Sequence, residues 1–107
     1  MSAPTPLAQA DYRRYWEIVT ETVKAQQNRR IAEQARDERL PDPMYFLAKE
    51  ATYEIYAKRA LTLGVSQMRY DVEEALRFAR LFNPDPDRSE YARGTLEATE
   101  RLLRILS

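Results

Sequence analysis

The chain has 107 residues, 44% apolar and 32% charged, a globular composition with room for about one hydrophobic core. Its 17 basic and 17 acidic side chains balance, so no general field draws it toward nucleic acid or anionic membrane. Histidine and cysteine are absent and glycine occurs twice, which removes most zinc, thiol and imidazole chemistry and argues against an all-β fold with many tight turns.

Met1 to Ala10 contain no cationic segment followed by an apolar run, and nowhere do eighteen apolar residues stand together. The expectation is a cytoplasmic, single helical domain over 1–107, with no membrane span and with 1–7 as a disordered or extended tail. Prolines fall in pairs at 4 and 6, 41 and 43, and 84 and 86, and the proline-free stretches between them read as helices. The predicted fold is all-α, a four-helix bundle or a pair of helical hairpins with an extended first helix.

The first predicted helix runs from about Ala8 to Arg39, with Tyr12, Trp16, Val19, Val23, Ile31 and Ala35 at spacings of three, four or their multiples. Some 32 residues would span about 48 Å, against about 32 Å for a second helix of about 21 residues. Two resolutions are open. Either the helix breaks in the polar run around Gln26 to Arg30, or its far end reaches past the core toward another chain. The return of Ile31 and Ala35 at helical spacing favours the second. Tyr12, Tyr15 and Trp16 lie beside Arg13 and Arg14, and arginine with aromatics is a composition enriched in binding hot spots. The competing reading, placed first, puts Tyr12 and Trp16 in the core and Tyr15 at its boundary.

Asp42 is placed to cap a second helix with Pro43 in its first turn. Leu47, Ala51, Ile55 and Tyr56 mark its expected buried face, and Gly64 is expected to end it in the left-handed conformation. A third helix starts near Ser66, as its cap, and carries Met68, Val72, Ala75, Leu76, Ala79 and Phe82. Asp87 or Ser89 caps a fourth, with Tyr91, Leu96, Leu102, Leu103, Ile105 and Leu106. Glu54 with Lys58, Glu73 with Arg77, Glu97 with Arg101 and Glu100 with Arg104 stand four apart, acid first, and read as pairs on solvated helix faces.

No catalytic, cofactor or metal site emerges from these residues. A di-iron bundle needs Glu-x-x-His pairs, which this chain cannot form. Glu17 with Glu21 and Glu50 with Glu54 read as solvated faces. Asn83, Asp85, Asp87 and Ser89 alternate like calcium ligands, but Arg88 stands where an EF-hand loop needs glycine and Gly94 where it needs glutamate.

The segment Ala60, Leu61, Thr62, Leu63, Gly64, Val65, Ser66, Gln67 resembles the turn of a helix-turn-helix DNA-binding unit, with a small residue four before the glycine. The resemblance covers about 20 residues and implies that Ser66, Gln67, Arg69 and Asp71 would face the major groove. The chain departs from that pattern at Glu73, where an apolar residue is expected. Asp71, Glu73 and Glu74 also set negative charge where phosphates would lie.

The leading expectation is a noncatalytic interaction protein, an adaptor, assembly factor or small accessory subunit, acting through helix-helix contacts as a homo-oligomer such as a homodimer. Its partner-binding residues would be Tyr12, Tyr15, Trp16, Gln27, Arg30, Ile31 and Ala35. The alternative is a small DNA-binding regulator using Ser66, Gln67 and Arg69; nucleic acid ranks second to a protein partner.

Overall fold

A computed structural model of the protein describes residues 9–35, 39, 41–82 and 90–107. Among them the fold is all-α, with no strand: α1 (Gln9–Ala35), α2 (Pro43–Phe82) and α3 (Glu90–Leu106), α2 being divided at Gly64 into two helical limbs. These four segments form the expected bundle. The tail at 1–7, the calcium-like run from Asn83 to Ser89 and the two candidate caps of the last helix lie outside the described residues.

Asp42 starts α2 as its position suggests. Its Oδ1 accepts from the Met44 amide at 2.8 Å and its carbonyl from the Tyr45 amide at 2.9 Å, satisfying two donors of the first turn. Gly64 has φ 75° and ψ 167°. The positive φ matches expectation, but the ψ is extended rather than left-handed helical, a region open essentially to glycine alone. Helix resumes immediately, so Ser66 lies inside the second limb instead of capping it.

The break at Gly64 turns the chain back on itself. At its start, α3 presses Gly94 against Tyr45 and Ala48 of the first limb. Farther along, Glu100 meets Arg80 of the second limb at 3.9 Å, and Leu103 lines a surface hollow with Leu76. Ala48 and Leu76 would stand about 42 Å apart on a straight rod, whereas Gly94 and Leu103 span only about 14 Å of α3. Both limbs therefore fold around α3, which is wedged between them. Helix α1 lies alongside the first limb, joined to it by a 2.8 Å bond from Arg29 Nε to Glu50, and it also meets α3 through Glu21 and Arg101.

One apolar core draws on every segment: Ile18 and Ala25 from α1, Tyr53, Tyr56 and Ala60 from the first limb, Met68 and Val72 from the second, and Ala98, Leu102, Ile105 and Leu106 from α3. In the second limb Met68, Val72 and Leu76 are buried as the spacing predicts. Two other predicted faces are displaced, although Tyr56 is buried as expected. On α1 the buried side is Ile18, Ala25 and Ala32, while Tyr12, Trp16, Val23 and Ile31 are exposed; on the first limb it is Ala48, Tyr53, Tyr56 and Ala60, while Leu47 and Ile55 are exposed. Alanines at 25, 32, 48 and 60 take many of the inward positions, since small residues let helix backbones approach, and Ile18, Tyr53 and Tyr56 fill the space between. The most apolar stripe and the buried stripe are thus different stripes.

The charged pairs also differ from expectation. Glu54 and Lys58 pair as predicted, at 3.2 Å. Glu73 instead takes Arg69, and Arg77 takes Glu74. Arg101 reaches across to Glu21 of α1 at 3.6 Å, Glu100 to Arg80, and Glu97 accepts a hydrogen bond from the hydroxyl of Tyr45. Three acidic or basic groups of α3 thus tie helices together where sequence spacing places them in solvent.

Candidate functional site

The α1 stripe opposite the core holds most of the residues the sequence marks for a partner. Ile18, Ala25 and Ala32 define the inward side, and a helix advancing about 100° per residue puts Tyr12, Trp16, Val23, Gln27 and Arg30 on the outward side. All five are exposed, as are Ile31 and Ala35; Tyr15 is half-buried and packs on the core. Trp16 keeps 60% of its surface and Ile31 55%. The reading of Tyr12 and Trp16 as core residues is therefore overturned, since Ile18 takes the inward position. Helix α1 runs unbroken through the polar stretch from Gln26 to Arg30.

The ring of Trp16 is held edge-on against Tyr15, with centroids 5.4 Å apart. Tyr15 is anchored in the core, so Trp16 is braced rather than free to swing, and a braced aromatic loses less entropy when a partner covers it. Beside it Thr20 and Thr22 return their hydroxyls to the carbonyls of Trp16 and Ile18, at 2.8 and 3.0 Å. Neither hydroxyl needs water to be satisfied.

A groove continues this surface onto the first limb of α2. Tyr15, Val19, Thr22 and Val23 form one wall and Glu54, Ala57, Lys58 and Leu61 the other, around a volume of about 190 Å³. Leu61, 57% exposed, stands at the rim. Sequence reasoning missed this wall because it assigned Ala51 and Ile55 to the core. Leu47, Ala51, Glu54, Lys58 and Leu61 are spaced alternately by four and three residues, but two of the five are charged, so apolar periodicity alone does not reveal the wall.

On the opposite side of the same two helices lies a polar hollow of about 300 Å³, lined by Glu21, Lys49, Tyr53, Glu97, Glu100, Arg101 and Arg104. Its acids and bases number three each. Arg101 holds Glu21, and Tyr45 is bonded to Glu97 with Lys49 and Arg93 over its ring at 5.1 and 4.5 Å. Burial, reinforced by the Glu97 bond, pushes the Tyr45 hydroxyl up to about 12. Burial likewise raises Tyr53, with Glu21 adding to the effect, and Tyr56. These hydroxyls stay protonated at neutral pH, and that of Tyr45 donates to Glu97. The arrangement fixes helices to one another by mutual neutralisation.

Near Gly64, Ser66, Gln67 and Arg69 are exposed. Gln67 donates to Asp71 at 3.1 Å and Arg69 to Glu73 at 3.3 Å, so the cation on this face is matched by a carboxylate one turn on. The interruption is a single residue, shorter than the three or four residues that join the helices of a helix-turn-helix unit.

No helix among the described residues is long and apolar enough to cross a membrane. In comparisons with protein-family models, curated proteins and solved structures, nothing matches this chain.

Proposed function

We propose that this chain is a noncatalytic, cytoplasmic interaction protein, an accessory or assembly component that acts through helix-helix contacts and self-associates. The observation that carries this reading is the outward stripe of α1, where Tyr12, Trp16, Val23 and Ile31 stay exposed along a helix whose inward side is already filled by Ile18, Ala25 and Ala32. Single exposed apolar residues are ordinary, but a run of them along one helix face marks a surface awaiting cover. A sequence without histidine or cysteine supports binding over chemistry.

Size-exclusion chromatography with light scattering tests the reading. The expected result is a mass above that of the 12.6 kDa chain, falling toward it on dilution. A species that stays monomeric into the high micromolar range overturns self-association.

A further inference from the structure

The first limb of α2 and α1 form a two-helix layer with one face covered and one bare. The covered face carries α3, through Gly94 on Tyr45 and Ala48 and through Arg101 on Glu21. The bare face is the apolar groove, with Val19 and Val23 on one side and Ala57 and Leu61 on the other. Helical hairpins with one bare apolar face bury it by stacking on a second hairpin, as in four-helix bundles.

We infer that the occupant of this groove is a second copy of the same chain, docked face to face about a two-fold axis that crosses the bare face midway between Glu54 and Lys58, with the first limbs of α2 antiparallel. The inference rests on the self-association reading and adds its location and register. The charges on the bare face argue for it. Glu54 and Lys58 are 53% and 77% exposed at their side chains and lie one turn apart at the middle of the seam. A two-fold axis midway between them brings each carboxylate opposite the ammonium of the other copy, so that four charges form two crossed pairs. Placing either limb parallel to its copy instead aligns like with like.

Size complementarity gives the same register. Position 61 then falls opposite position 51, so the protruding Leu61 sits over Ala51 of the partner subunit, on each side of the axis. On α1, Tyr12, Trp16, Val19 and Val23 follow the same four-three-four spacing and flank the seam, so the outward aromatics border the joint. A polar layer in the middle of an apolar seam is also the device by which helix bundles fix one register and exclude slipped ones.

The test is the dissociation constant of four purified variants, measured by analytical ultracentrifugation, with circular dichroism confirming unchanged helix content. Leu61→Arg places a cation over Ala51 of the partner subunit. Glu54→Lys sets lysines against lysines, and Glu54→Lys with Lys58→Glu in one chain exchanges the charges. Tyr70→Ser, on an exposed position of the second limb, is the control. Expected are a rise of roughly tenfold or more for the first two, return to near the parental value for the exchanged chain, and no change for the control. A protein that associates with the same affinity in all four variants places its joint elsewhere and overturns this inference while leaving self-association intact. A parental chain that never associates removes both.

Discussion

Gly94→Ala tests how tightly α3 is wedged into the fold. Two effects oppose one another. In an unconstrained helix interior, alanine is preferred over glycine by about 1 kcal/mol. At this position, however, a Cβ would overlap the carbonyl oxygen of Tyr45 and come within 3.1 Å of the Ala48 Cβ. The first obstacle is backbone, which no rotamer change moves aside, so the helices must part. Overpacking of this kind costs typically about 1–3 kcal/mol, and here the parting is felt by Ala98 and Leu102, both fully buried farther along α3. The upper part of that range applies, leaving a net loss of about 2 kcal/mol after the propensity gain. For a domain of this size that corresponds to a fall in melting temperature of roughly 8–15 °C. Urea denaturation followed by circular dichroism measures it. A variant as stable as the parent, or more so, would mean that propensity outweighs contact and that α3 does not approach α2 this closely.

Stability should fall as the medium is made alkaline. Tyr45 is raised to about 12, and Tyr53 and Tyr56 are raised too, whereas unfolded tyrosines titrate near 10. The folded state therefore keeps protons that the unfolded chain releases, so stability is full below about pH 10 and is lost as pH climbs toward 12. Urea midpoints across that window should decline, less steeply in Tyr45→Phe; a flat profile would refute the shifts. Gly64→Ala meets no steric neighbour, so its cost is backbone strain of about 1–3 kcal/mol, read as a lowered urea midpoint, and an unchanged midpoint would show that the bend tolerates a side chain. Leu102→Ala, at a fully buried position, should lose about 3 kcal/mol through its cavity, while Trp16→Ser should leave monomer stability within about 0.5 kcal/mol, as expected of an exposed site. Equal losses in the two would contradict the inward and outward sides assigned to these helices.

Helix boundaries were the most legible part of this chain. Asp42 and Pro43 announce a start, and Gly64 announces a break, because capping and positive φ are local chemistry written in single residue types. The buried face of the second limb was equally readable, since Met68, Val72 and Leu76 are its large residues facing inward. On α1 the same logic failed. Ala25 and Ala32 face the neighbouring limb and the aromatics face out, so hydrophobicity marks the outward stripe, and the rotation of the helix about its axis is fixed only by what packs on it. The candidate surface was consequently half visible: its α1 residues could be named, while the wall contributed by Ala57 and Leu61 required knowing which limb lies alongside. Spacing rules likewise know only one helix at a time. They assign Arg101 to Glu97, although Glu21 of another helix stands within its reach.

The wedge position of α3 bears on how the chain comes to be folded. During synthesis α1 and then the two limbs of α2 emerge before α3, the limbs hinged at Gly64 and without the helix that lies between them. Met68 and Val72 must wait beside Tyr53 with part of their oily surface wet until the last seventeen-residue helix arrives. Its sequence is suited to that role, with Gly94 and Ala98 slender enough to slide into the opening and Leu102, Ile105 and Leu106 bulky enough to lock it shut.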